Sequence, residues 1–161
     1  VKKPYMLYVG VAYPHKNLAG LMDAFKIFYD KYSKEYNLIL AGPDNYFYRK
    51  LKYPRLFGGQ AISYIGFVSD SELRALYKNA SLYVFPSLYE GFGLPVLESM
   101  ACGTPVVCSN SGSFADVAAD AAIFCDPKSP QDIAEKIAED YTELLKAISG
   151  YIKFLRNQKP S

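Results

Sequence analysis

Residues 82–108 read LYVFPSLYEGFGLPVLESMACGTPVVC, and this stretch decides what kind of fold the chain adopts. The apolar runs at 82–85 and 105–108 are continuous rather than alternating. Such runs suit strands buried on both faces of a parallel sheet. Between them Gly91 and Gly93 make a turn and Pro95 opens a helix, a place where the missing proline N–H removes no hydrogen bond. Strand, loop, helix and strand in so short a span are the repeat of an α/β fold.

The alternation extends in both directions. Further continuous runs stand at 5–9, 38–41, 62–65 and 122–124, the first three followed at once by glycine. Helical periods lie between them. Leu18, Leu21, Met22, Phe25, Phe28, Tyr29 and Tyr32 recur at helical spacing, with Asn17 placed to cap the first turn. Ser69 and Glu72 form a capping box ahead of Leu73, Leu76 and Tyr77. Ser129 and Pro130 open a last helix whose stripe runs through Ile133, Ile137, Tyr141, Leu144, Leu145 and Ile148. The expected architecture is α/β, a Rossmann-like doubly wound parallel sheet of about six strands. In such folds ligands bind beyond the carboxyl ends of the strands, where the strand order reverses.

Composition narrows the function. The 161 residues carry 18 Lys or Arg and 16 Asp or Glu, a net charge of +2, and half are apolar. One domain with a single core is expected. Near-neutral charge argues against a nucleic-acid partner, and no apolar run reaches the ~20 residues that span a bilayer. Cys102, Cys108 and Cys125 make no CxxC pair. They read as buried thiols of a reducing compartment, so a cytoplasmic location and no metal are expected.

Chemistry concentrates in the loop after residue 85. Glu90 precedes the Gly91–Phe92–Gly93 turn, and Glu98 lies eight residues on, about one turn into the helix. Glycines let a backbone approach a ligand closely. Free amides at 94–97, with the helix dipole, make an anion site suited to phosphate. Two carboxylates there repel phosphate but accept sugar or ribose hydroxyls. The plain alternative is a surface loop with Glu98 favoured by the helix dipole.

The 87–107 segment resembles the Glu-x7-Glu signature of retaining GT-B glycosyltransferases of the family-four type. YVGVAYPHKNLAGLMDAF at 8–25, LILAGPDNYFYRKL at 38–51 and the stretch 64–127 are similar to the rest of that family's donor-binding domain in order. The resemblance covers roughly residues 4–140 and implies the C-terminal, donor-binding half of a two-domain enzyme. It implies a UDP-, GDP- or ADP-sugar as substrate, no cofactor and no metal. A hexose of mannose, glucose or galactose type would move to a polysaccharide or glycolipid acceptor. The domain is expected over 1–150 with a basic tail at 151–161. The acceptor-binding N-terminal domain would lie outside this chain, and peripheral membrane association would belong to the whole enzyme.

By matching positions the resemblance gives Lys16 the donor pyrophosphate and Glu90 the sugar hydroxyls. Gly10 sits at the phosphate loop, and the amides of Gly91, Phe92, Gly93 and Leu94 assist Glu90. Glu98 takes the ribose, while Phe67 and Val68 lie beside the base. Lys16 and Glu90 would be the catalytic pair. The chain departs from the family at residues 11–13, Val-Ala-Tyr where an Arg is usual, and at Phe114, Ala115 and Asp116. His15 reads as a neutral loop residue bonded to backbone, or as a second cation when protonated. Two further readings remain: a non-catalytic nucleotide-sugar binding module that regulates a partner, and a GT-B-shaped epimerase or phosphorylase. Retention of Lys16, Glu90 and Glu98 favours the transferase.

Overall fold

Six parallel strands form the centre: β1 (Tyr5–Val9), β2 (Asn37–Ala41), β3 (Ile62–Gly66), β4 (Leu82–Phe85), β5 (Val106–Ser109) and β6 (Ile123–Cys125). The computed structural model describes residues 4–51, 61–111, 118 and 121–157, with side chains as far as residue 143. The 112–117 segment with Phe114, Ala115 and Asp116, and the side chains of Leu144, Leu145 and Ile148, therefore lie outside the described residues. The strand order is β3-β2-β1-β4-β5-β6, all pairs parallel. This is the doubly wound order expected of the alternation, reversing between β1 and β4.

The helices are α1 (Leu18–Lys31), α2 (Tyr46–Lys50), α3 (Asp70–Asn79), α4 (Leu94–Ala101) and α5 (Pro130–Asn157). α1 packs on α5 and α3 on α4, as right-handed crossovers running opposite ways from β1 require. α1 turns Leu18, Leu21, Met22, Phe25 and Phe28 inward, while of the same predicted stripe Tyr29 is half-buried and Tyr32, at the helix end, is exposed. α3 begins with the complete Ser69–Glu72 capping box. α5 opens after Ser129, whose Oγ accepts from the Asp132 N–H at 3.1 Å, and it runs without a break through residue 150 to Asn157.

Central strands β1, β2, β4 and β5 are buried along nearly their whole length. Edge strands are not. β3 is mostly half-buried with Ile65 at 42% exposure, and β6 is half-buried at Ile123 and Phe124. The reason is topological: an edge strand has one neighbour and a helix layer that ends over it. Cys108 and Cys125 sit in the core, while Cys102, read as buried from sequence, is half-buried on the turn leaving α4.

Strands β1, β2 and β3 end in step. Gly10 N–H donates to the Ala41 carbonyl and Gly42 N–H to that of Gly66, both at 2.9 Å. A Cβ on Gly42 would overlap the Gly10 carbonyl oxygen, so only glycine lets the two loops leave side by side. Gly42→Ala should cost on the order of 3 kcal/mol by overpacking against immobile backbone, read as a fall in the urea midpoint. Burial pushes the Cys108 and Cys125 thiols up to about 12. Above the ordinary thiol pKa of about 8.5 the unfolded chain ionises them and the folded chain does not. Stability from these thiols is thus present below pH ~8.5 and is lost as pH rises toward 12. Native alkylation at pH 8.5 should label Cys102 well before the other two.

Candidate functional site

β1 and β4 lie side by side, pairing Met6 with Leu82 and Leu7 with Tyr83, and their outgoing loops part toward opposite faces. The β1 loop passes Gly10 (φ +148°), then a 3-10 turn at Pro14–Lys16, then Asn17 in the left-handed region (φ 60°) before α1. The β4 loop runs through Ser87 and Glu90 to Gly93, also left-handed (φ 69°), before α4.

Lys16 and Glu90 meet across the gap. The Lys16 ammonium donates to Glu90 Oε2, and the two side chains are only 15% and 17% exposed. Ser87 Oγ donates to the same oxygen at 3.3 Å, and Lys16 Nζ stands 5.3 Å from the centre of the Phe85 ring. The backbones join as well, Leu88 N–H donating to the His15 carbonyl at 2.8 Å. Each charge therefore already has a partner inside the protein. The pair is shielded enough for its attraction to exceed that of a solvated surface pair.

Asn17 does something other than its expected cap. Its side chain makes no bond to the α1 amides. Nδ2 donates instead to the carbonyls of Pro86 at 3.0 Å and Pro127 at 2.6 Å. A capping side chain needs extended backbone to reach back over the first turn, and the left-handed backbone at Asn17 aims it elsewhere. Gly20 marks this in the sequence, because a Cβ there would overlap the Asn17 side chain.

The strand ends are held by tyrosines. Tyr8 hydroxyl donates to the Val11 carbonyl at 3.0 Å, Tyr48 to Gly10 at 2.7 Å, Tyr64 to Gly42 at 2.9 Å and Tyr83 to Val9 at 3.3 Å. Burial first, then neighbouring tyrosines, pushes the phenols of Tyr8 and Tyr83 well above the ordinary range. They stay protonated and remain donors.

The helix terminus is more closed than the sequence suggests. Pro95 has no N–H, and the amides of Val96 and Leu97 both donate to the Gly93 carbonyl, at 3.0 and 3.5 Å. Of the amides expected free at 94–97, only that of Leu94 remains for a ligand, beside the 91–93 turn. Glu98, exposed on α4, is not part of the Lys16–Glu90 pair; it accepts from the Tyr77 hydroxyl of α3 at 3.2 Å. Phe67, 79% exposed, and half-buried Val68 follow β3, two strands from β1 on the same edge of the sheet. At the departure from family pattern, Tyr13 lies between the His15 ring (6.0 Å) and that of Phe47 (5.5 Å), and His15 also meets Tyr89 at 5.8 Å. Sequence reasoning missed Ser87, the ties of Asn17 and Tyr77. A hydroxyl on the buried stripe of α3 was the available signal for Tyr77, since a buried phenol needs a partner.

The family model for glycosyl transferases group 1 matches residues 1–144. The chain belongs to that family. It is 40% identical over 139 residues to O-antigen chain mannosyltransferase B of Escherichia coli, covering 84% of this chain and 36% of that protein. It is 31% identical over 155 residues to O-antigen chain mannosyltransferase RfbU of Salmonella typhimurium, covering 94% and 43%. Among solved structures, the C-terminal domain of a glycosyl transferase group 1 family protein (LpcC) from Francisella tularensis superposes with a TM-score of 0.71 at 26% identity, over 88% of this chain and 76% of that one. The chain thus spans well under half the length of these two curated relatives. The sheet is that of a GT-B glycosyltransferase domain, and Glu90 and Glu98 fall on the loop and helix after β4.

Asn17 offers a direct check of its role in joining this family's loops. Asn17→Asp is an equally good capping residue type but cannot donate, so both bonds to carbonyls are lost. It should lower unfolding stability by about 2 kcal/mol. A cap alone would leave stability unchanged in urea titrations.

Proposed function

We propose that this chain is the donor-binding part of a hexosyltransferase acting on a nucleoside-diphosphate sugar. The mannosyltransferase relatives support a polysaccharide acceptor, held mainly by a second domain. Transfer would proceed with retention and without a metal. The observation that carries the reading is the shielded Lys16–Glu90 pair at the reversal of strand order.

In this reading Lys16 moves onto the diphosphate and offsets the charge that grows there as the glycosidic bond breaks. The Leu94 amide and the α4 N-terminus add their partial positive charge. Glu90, released from Lys16, accepts the hydroxyls of the sugar, and Glu98 accepts those of the ribose. Phe67 offers an exposed ring beside the base.

The pair also sets a preference among ligands. An intact sugar nucleotide supplies new partners to both residues, an anion for Lys16 and hydroxyls for Glu90. A bare nucleoside diphosphate satisfies Lys16 and leaves a largely buried carboxylate with no opposite charge and only the Ser87 hydroxyl as a donor, which is costly. Product therefore competes with re-formation of the internal pair, and this favours its release after transfer.

Calorimetry on GDP, UDP and ADP, and on their hexose conjugates, tests this. Lys16→Ala should weaken the preferred nucleoside diphosphate by roughly 2 kcal/mol and leave the nucleoside unaffected. Glu90→Gln should tighten the bare diphosphate a few fold, because its competitor is gone, and weaken the sugar conjugate. Equal losses for nucleoside and diphosphate in Lys16→Ala would remove Lys16 from the phosphate site.

A further inference from the structure

The contact between α3 and α4 joins a rigid group to a mobile one. Tyr77 is 2% exposed, and its ring meets Tyr83 edge-on with centroids 5.4 Å apart. Its own carbonyl accepts from Thr104 Oγ1 at 2.5 Å, and Thr104 is itself buried at 5%. The phenol is thus fixed by packing on its ring and by an anchored backbone. Glu98 is the opposite case, an exposed carboxylate at the end of three rotatable bonds. The Tyr77 hydroxyl donates to one of its oxygens, Oε2, at 3.2 Å.

We propose that Tyr77 is the positioning residue that aims the Glu98 carboxylate at the ribose diol of the nucleotide. The inference rests on the reading of Glu98 given above and adds the group that sets its geometry. An ionised carboxylate has about four lone-pair sites. One bond from Tyr77 orients the group and leaves Oε1 and a second site on Oε2 for the two ribose hydroxyls. Holding the carboxylate in one rotamer before the ligand arrives removes an ordering cost that an exposed glutamate otherwise meets on binding. Burial, with the adjacent carboxylate, keeps the Tyr77 phenol protonated across the physiological range, so the bond does not switch off with pH. The Tyr83 ring that packs on Tyr77 carries a hydroxyl that donates to the Val9 carbonyl at 3.3 Å. The ribose anchor is thereby referenced to the end of β1, where the loop to Lys16 begins.

Tyr77→Phe keeps the ring and deletes the donor. Binding of the preferred one of GDP, UDP and ADP to the 161-residue chain is compared with binding of its 2′,3′-dideoxy counterpart, in wild type, Tyr77→Phe, Glu98→Gln and the double variant. Tyr77→Phe should weaken the ribonucleotide about three- to tenfold and leave the dideoxy nucleotide unchanged, so that the ratio of the two affinities falls. The double variant should lose no more than Glu98→Gln alone. If Tyr77→Phe weakens both ligands equally, or neither, Tyr77 does not position Glu98. If Glu98→Gln leaves ribose discrimination intact, the reading of Glu98 itself fails, and the positioning role goes with it. One measurement needs no substitution at Tyr77: the resonance of its shielded hydroxyl proton should move in Glu98→Gln. An unmoved resonance means that the two groups do not touch and overturns the inference.

Discussion

Where β1 and β4 lie side by side, their outgoing loops part to opposite faces of the sheet, and the ends of the strands must be closed by side chains. The contacts at the candidate site between these two strands follow from that constraint. Lys16 and Glu90 close the gap with opposite charges, Asn17 with two bonds to carbonyls of other loops, and Leu88 with a backbone bond to His15. A ligand entering there meets groups that already hold one another. In the function proposed above, binding would be an exchange of partners, and its selectivity would lie in which partners the ligand replaces.

The same constraint explains a peculiar composition, 15 tyrosines and no tryptophan. A carbonyl at the end of a parallel strand lacks a ladder partner and sits over an apolar core. A tyrosine fills core volume with its ring and reaches such a carbonyl with its hydroxyl. Tyr8, Tyr48, Tyr64 and Tyr83 all do this. Tyr5 does the same for the Leu76 carbonyl at the end of α3. Tyr77 uses the same device on a carboxylate, that of Glu98, instead of a carbonyl.

Much of the fold was legible because its signals are local. The strand runs fall within a residue of the observed strands, and the Ser69–Glu72 box starts α3 as read. Asn17 was misread because the cap rule assumes an extended residue, and the letters do not carry backbone angle; Gly20, three residues on, carried the hint. Amides at Val96 and Leu97 were expected free, yet the left-handed turn at Gly93 brings its own carbonyl under them. The proximity of Lys16 to Glu90 and of Tyr77 to Glu98 arises from strand order and helix packing, separations of 74 and 21 residues that no local pattern encodes.

The central claim is that the Lys16–Glu90 pair is a placeholder for the donor, its ammonium standing in for hydroxyls and its carboxylate for phosphate. A crystal structure of the chain with a bound, non-hydrolysable sugar nucleotide tests this most directly. The account predicts Lys16 Nζ on a diphosphate oxygen, Glu90 on the sugar hydroxyls and the internal pair broken. A ligand bound at the carboxyl edge of the sheet with Lys16 and Glu90 still paired would contradict it.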